Sequence, residues 1–349
     1  MAPTVWKALC LLTVKRYHRI GQQASDVERK VIAILKLLSD SPRPLGGRVL
    51  ARRLCDLGID LGERAVRYHL KLMDERGLTC PVGKKDGRSI TKSGLEELGS
   101  ALVSDRVGLM TTKIETLAYQ SSFDPEKRIG EVPINVSLFS REEFSQAIEA
   151  MKDAFLTGLA ISDLVAIASE GEKLGEVIVP PGKVGLATVS HIVVCGALLR
   201  AGIPVDSRFG GIVQIRNHEA LRFVDLIEYA GCSLDPSEVF IAGKMTSVSK
   251  AAREGNGKIL ASFCEIPAVS RTSAETVIKK IEVAGMKGLV ILGGIGEPVC
   301  QLPVAANRAG IVLADGLNPV AAAVEAGAGV INHPMSGVID LGRLGCFWD

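Results

Sequence analysis

The chain has 349 residues, of which 47% are apolar and 23% charged. At roughly 100–200 residues per domain this is material for two or three domains with a sizeable core, and it excludes a chain disordered throughout. The net charge of +2 conceals an asymmetry: residues 1–100 carry 19 basic and 11 acidic side chains, residues 101–349 carry 22 and 28. A basic head on an acidic body points to nucleic acid as the partner of the head.

No run of about 18 apolar residues occurs, so no membrane span is predicted. The apolar stretch from Val5 to Val14 is short, is broken by Lys7, and precedes Lys15, Arg16, His18 and Arg19 without a small-residue cleavage site. Residues 1–24 therefore read as a poorly ordered extension, not a signal peptide. The cysteines at 10, 55, 80, 195, 232, 264, 300 and 346 form no Cys-x-x-Cys pair. That pattern argues against a zinc site or a disulfide framework, and predicts reduced thiols in a cytoplasmic protein.

Residues 25–100 form a compact basic unit. Ser25-x-x-Glu28 reads as a capping box opening a helix with Val27, Val31, Ile34, Leu35 and Leu38 on its inner face. Ser41-Pro42-Arg43-Pro44 stops it. Gly47–Leu57 is a second helix, with Leu50, Leu54 and Leu57 inward and Gly58 as its left-handed cap. Asp60-x-x-Glu63 reads as the start of a third helix that runs to Arg76 and ends at Gly77. At 100° per residue this helix puts Val66, His69, Leu70 and Met73 on one face and Arg64, Arg67, Tyr68 and Lys71 on the other. Leu78–Val82 and Ser89–Thr91 flank a basic turn, Gly83-Lys84-Lys85-Asp86-Gly87-Arg88, whose Asp-Gly step tolerates positive φ. Three helices and a basic hairpin make a winged helix-turn-helix. Its third helix would enter a major groove with Arg64 and Arg67 toward base edges. Lys84, Lys85 and Arg88 would lie along phosphates. The other use of such a module is docking to protein.

Residues 101–130 read as a polar linker with some helix, and 131–349 as a mixed α/β body. Strands are predicted over Val132–Leu138, Leu164–Ala168, Gly211–Arg216, Val239–Ala242, Ile259–Cys264, Gly288–Leu292, Gly310–Leu313 and Val330–Asn332. Helices are predicted over Ser140–Phe155, Thr188–Arg200, Asn217–Tyr229, Val248–Glu254, Ser273–Ala284 and Pro319–Ala326, the last capped by Asn318. The fold class is thus α/β (α+β). Val132–Leu138 running into a helix at Ser140 parallels Ile259–Cys264 running, after Pro267, into a helix near Ser273, and the string Ala201-Gly-Ile-Pro-Val resembles Ala309-Gly-Ile-Val-Leu; both are weak signs of internal duplication.

Two segments of the body suggest ligand chemistry. Pro180-Pro-Gly-Lys-Val-Gly-Leu-Ala-Thr-Val-Ser-His191 reads as a glycine-containing loop entering a helix near Thr188. Free amides at a helix N-terminus bind anions, with Lys183, Gly185, Thr188, Ser190 and His191 as the contacting residues. The other reading is a plain capped helix. In Gly202–Gly211, Arg208 beside Asp206 is either half of a structural ion pair or a carboxylate clamp. No catalytic residue, metal ligand or cofactor is predicted; His191 and Cys195 lie i,i+4 without further ligands.

The strings Ile203-Pro-Val-Asp-Ser-Arg-Phe-Gly-Gly211, Lys258-Ile-Leu-Ala261 with Glu265-Ile-Pro267, and Ala314-Asp-Gly-Leu-Asn-Pro-Val-Ala-Ala322 resemble the NrpR family, archaeal repressors of nitrogen-assimilation genes. The resemblance covers about residues 25–340. It implies an N-terminal winged helix with one nitrogen-regulatory domain, a homodimer on inverted-repeat operator DNA, and release of DNA by 2-oxoglutarate. Thr188, Ser190, His191 and Arg208 are the effector-binding expectations within the matching region. The alternatives are a co-repressor that works through a sister regulator without DNA affinity of its own, and an α/β enzyme acting on a small carboxylate.

Overall fold

The computed structural model describes residues 30–39, 41, 43–56, 59–83, 87–101 and 109–348. The capping box at Ser25 and Glu28, Leu57, Gly58, Lys84, Lys85, Asp86 and the extension 1–24 lie outside the described residues. The chain divides into two compact units between residues 105 and 106.

In the first unit, helix α1 (residues 30–39) precedes α2 (Gly47–Asp56) and α3 (Glu63–Glu75). Strands β1 (Thr79–Pro81) and β2 (Arg88–Ile90) pair antiparallel, with Cys80 opposite Ser89. An antiparallel bridge from Leu45 to Arg88 adds a third, one-residue strand beside β2, and α4 (Lys92–Ala101) closes the unit. The apolar period predicted for α3 is the one that packs: Val66, His69, Leu70 and Met73 are buried against Ile34, Leu35, Leu50 and Leu54. Gly77, at φ 72°, takes the left-handed position after the helix. Asp60 does not cap α3. The N-cap is Gly62, without a side-chain hydrogen bond.

The second unit opens with α5 (Leu109–Gln120), whose Met110, Ile114, Leu117 and Ala118 are buried in the body's core. Most of the segment read as a linker is therefore part of the body. Next come β3 (Glu131–Ser140), α6 (Phe144–Leu156), β4 (Leu164–Ala168), a short hairpin β5–β6 (Lys173–Leu174, Val177–Ile178), β7 (Lys183–Val189), α7 (Ile192–Arg200), β8 (Asp206–Arg216) and β9 (Glu219–Glu228). The remainder is α8 (Pro236–Ala242), α9 (Val248–Glu254), β10 (Gly257–Pro267), α10 (Arg271–Val283), β11 (Val290–Ile295), β12 (Arg308–Ala314), α11 (Asn318–Glu325), β13 (Val330–His333), β14 (Val338–Asp340) and β15 (Gly345–Cys346).

Two antiparallel sheets result, ordered β11-β12-β10-β8-β9 and β13-β3-β7-β4-β15. The topology reveals the duplication. The run β3-α6-β4-β7-α7-β8 repeats as β10-α10-β11-β12-α11-β13, and each run lends its last strand to the other's sheet. The strings that suggested the repeat are not counterparts: Ala309 lies in β12, whereas Ala201 caps α7. The structural equivalent of Ala201-Gly202 is Ala326-Gly327. In both pairs the alanine caps the second helix of its repeat and the glycine has positive φ, 77° and 98°.

Three element assignments change. Asn217–Tyr229 is not a helix. Asn217 and His218 both take positive φ, 52° and 64°, and turn the chain into strand β9, where pairing with β8 overrides the helical spacing. Val239–Ala242 belongs to helix α8. Asp235 accepts from the Ser237 and Glu238 amides and Pro236 occupies the first turn, so capping outweighs the β-branched run. Finally, Lys183–Val189 is a strand and the helix begins only at Ile192.

Candidate functional site

The exposed face of α3 is as the spacing predicts: Arg64, Arg67, Tyr68 and Lys71 are all exposed, Tyr68 by 62%. They stand on a rigid base, because the opposite face of the helix is fully packed. Arg67 Nη2 donates to Glu63 Oε1 at 2.5 Å, and Arg48 Nε of α2 reaches Glu63 Oε2 at 3.4 Å. Arg88 stands apart from the phosphate-contacting role expected of it. Its Nε donates to Asp74 Oδ2 at 2.7 Å, while Thr79 Oγ1 donates to Asp74 Oδ1 at 2.6 Å. One carboxylate on α3 thereby ties both strands of the hairpin to that helix. Asp74→Asn is expected to cost about 1 kcal/mol of stability, read as a lower urea midpoint of the head's transition; an unchanged midpoint contradicts the clamp.

The residues predicted to bind an effector do not form one pocket. Lys183 opens β7 and His191 lies beyond its far end, Val189, which at about 3.3 Å per residue is about 20 Å from Lys183. Gly185 serves packing: a Cβ there would come within 2.8 Å of Val179 Cγ2. Thr188, Ser190 and His191 all lie in the interior, at 2%, 1% and 6% exposure. Arg208 has its carboxylate already, donating to the buried Glu265 at 3.2 Å. Arg308 donates to Asp206 at 3.1 Å, so two guanidiniums and two carboxylates form one network.

Residue spacing carries no sign of the polar seam between the two repeats. The β7–α7 turn and its equivalent, the β12–α11 turn, each hydrogen-bond to the first strand of their own repeat: Ser190 N to Pro133 O, Asp315 N to Leu260 O. They bring His191 Nδ1 to 3.5 Å from Asp315 Oδ2. His191 Nε2 lies 3.0 Å from Ser262 Oγ, and that oxygen lies 2.8 Å from the Tyr229 hydroxyl. Ser237 Oγ donates to Asp315 Oδ2 at 2.8 Å. Burial opposes a charge on His191, but the Asp315 carboxylate beside it prevails and raises its pKa. Burial and then the Asp315 charge push Asp235 up to about 6. Ser262, His191 and Asp315 have the order of a hydrolytic triad, yet all are 6% exposed or less, so the arrangement joins the repeats without presenting a nucleophile to solvent.

Asn318 completes the seam. It is fully buried and does not cap its own helix, as the sequence suggested; its side chain accepts from Leu260 N at 2.8 Å and donates to Leu159 O and Leu260 O at 2.8 and 2.9 Å. The described body also has an open cleft of about 290 Å³, lined by Arg216, Lys250, Lys258, Asn256 and Ser247. Its cations have one weak partner between them among the described residues, Glu254 at 3.9 Å from Lys250. Among the described residues no cluster of His, Cys, Asp or Glu could hold a metal ion, and no helix is long and apolar enough to cross a membrane.

A winged helix with a cationic exposed face on its third helix, followed by a duplicated α/β body, is the architecture of a winged-helix regulator. The model of the NrpR regulatory domains NRD1 and 2 matches residues 107–345, and that of the ribonuclease R winged-helix domain matches residues 32–98. The chain belongs to the NrpR family. It is 38% identical over 315 residues to the global nitrogen regulator NrpRI of Methanosarcina mazei, covering 90% of this chain and 97% of that protein. It is 33% identical to the global nitrogen regulator NrpR of Methanococcus maripaludis, covering 85% of this chain and 51% of that protein, so it spans about half the latter's length. The crystal structure of a nitrogen repressor-like protein from Methanococcus jannaschii is similar at a TM-score of 0.57 and 25% identity, over 68% of this chain and 98% of that one.

Proposed function

We propose that the protein is a cytoplasmic, homodimeric repressor of nitrogen-assimilation genes, and not an enzyme, that binds inverted-repeat operator DNA through its winged helix and releases it when 2-oxoglutarate binds the body. The observation that carries the DNA reading is the coincidence of fold and charge on α3: four exposed side chains, three of them cationic, on a helix whose other face is locked in the core. The regulatory reading is supported by the relatives named as nitrogen regulators. A dicarboxylate effector needs cations not already neutralised. The cleft of Arg216, Lys250 and Lys258 offers them, whereas Arg208 faces Glu265. A dimer on DNA sets its half-sites about 10–10.5 bp, or a multiple, apart.

Arg64→Ala and Arg67→Ala are each expected to lower the preference for operator over unrelated duplex by about 1–3 kcal/mol while leaving 2-oxoglutarate affinity of the full chain unchanged. Anisotropy on both duplexes and calorimetry with the effector measure the two. Equal loss on both duplexes would assign the arginines to phosphates, and no loss on either would remove α3 from the interface.

A further inference from the structure

We propose that Glu63 is a specificity-determining residue of the DNA interface: its carboxylate accepts a hydrogen bond from the exocyclic amino group of a cytosine in the major groove, and holds Arg67 in place for the neighbouring guanine. The inference rests on the DNA reading above and deepens it.

Glu63 is the first residue of α3, and the N-terminal residues of a recognition helix are those that reach base edges. Its carboxylate gathers cations from two helices, Arg67 one turn along α3 and Arg48 in the first turn of α2. The Arg67 stem lies against Gly47, where a Cβ would stand 3.0 Å from Cγ. The opening turns of α2 and α3 therefore form one unit around the carboxylate. Arg48 and Arg67 remain 89% and 69% exposed and Glu63 32%, so the group faces outward and is not a core ion pair.

An exposed i,i+4 pair stabilises a helix only marginally, and a carboxylate on a surface that meets a polyanion weakens binding to every phosphate. What it adds is discrimination. In the major groove cytosine offers an N4 amino donor, while guanine offers the N7 and O6 acceptors that suit an arginine fork. A carboxylate fixed beside a guanidinium matches a cytosine next to a guanine. Out of register, it meets acceptors or phosphate and is repelled.

The test uses the full chain. A randomised duplex pool of about 20 bp, long enough for two half-sites, is enriched on the wild-type protein and on Glu63→Gln and Glu63→Ala. Affinity for the wild-type-selected duplex and for poly(dA-dT), which presents neither cytosine nor guanine, is then measured at one salt concentration, with thermal midpoints as a fold control. The expected result is a cytosine–guanine step in each wild-type half-site. For both variants we expect tighter poly(dA-dT) binding, a selectivity ratio lower by about tenfold, and reselected sites that keep the guanine but lose the cytosine. Unchanged ratios and unchanged selected sequences would overturn the assignment of Glu63 alone. A wild-type chain that enriches no sequence would overturn the DNA reading and this assignment together.

Discussion

Asn318→Ala is expected to destabilise the body by about 3–4 kcal/mol. The side chain makes three hydrogen bonds at zero exposure, one to the Leu260 amide and two to carbonyls of Leu159 and Leu260. Alanine leaves the Leu260 amide with no substitute for the lost acceptor, at about 1–3 kcal/mol for a buried unsatisfied group, and removes a donor from each carbonyl. Leu260 O retains the Asp315 amide, which keeps the total below three full penalties. Asn318→Asp is the informative companion. It keeps the acceptor for Leu260 N but sets a carboxylate against two carbonyl oxygens, so it should be no better tolerated. Urea unfolding of the full chain, with the m-value checked for constancy, measures both. A loss under about 1 kcal/mol for the alanine variant would mean that the seam is not held there.

Asp235→Asn is expected to stabilise the protein at pH 7.5 by ~2 kcal/mol and to leave it unchanged near pH 4. The wild-type carboxyl titrates near 6 in the folded chain, against 3.8 unfolded, because it is buried and faces the Asp315 charge. The folded state therefore holds this proton more tightly, and its contribution to stability falls as pH rises from about 4 through 6. Asparagine removes that cost and can keep the acceptor for the Ser237 and Glu238 amides. His191 acts in the same direction higher up: its pKa is raised above 6.5, so its pairing with Asp315 stabilises fully below 6.5 and is lost as pH rises through the folded value. Asp315 acts oppositely: its pKa is lowered from 3.8, and its contribution is lost on acidification below that value. These three groups together should thus make the wild-type chain most stable near pH 4, with stability falling as pH rises from there. An Asp235→Asn increment of equal size at pH 4 and pH 7.5 would contradict the linkage.

The head was legible because its signals are local. Helical period and the glycine after α3 each act over a few residues, and the face that the period defines is the face that packs. The body was less so. The strand in 183–189 is made by pairing with β3 and β4, partners up to about 50 residues away, so no window around Thr188 contains its cause. The helix read over Asn217–Tyr229 failed for the same reason, although Asn217 at a positive φ is a local turn signal that could have been weighed. The α8 capping signal was also on the page, Asp235 followed by Pro236, and was outweighed by the β-branched Val239 and Ile241. Neither the exchange of last strands between the repeats nor the seam it builds was visible, since His191, Ser262 and Asp315 are separated by 71 and 53 residues and meet only when both turns close. Arg208 shows the limit of reading charge by neighbourhood: Asp206 was in view, but the partner at 3.2 Å is Glu265 on the adjacent strand.

The central claim is that effector binding to the body weakens DNA binding by the head. It is tested most directly by fluorescence-anisotropy titration of the full chain onto duplex DNA from its own upstream region, at fixed salt, with and without millimolar 2-oxoglutarate. We expect tight binding that the effector weakens by 5- to 150-fold, the usual range of a coupling energy of about 1–3 kcal/mol, and by linkage an effector affinity reduced by the same factor when DNA is bound. DNA affinity identical with and without the effector would contradict the claim.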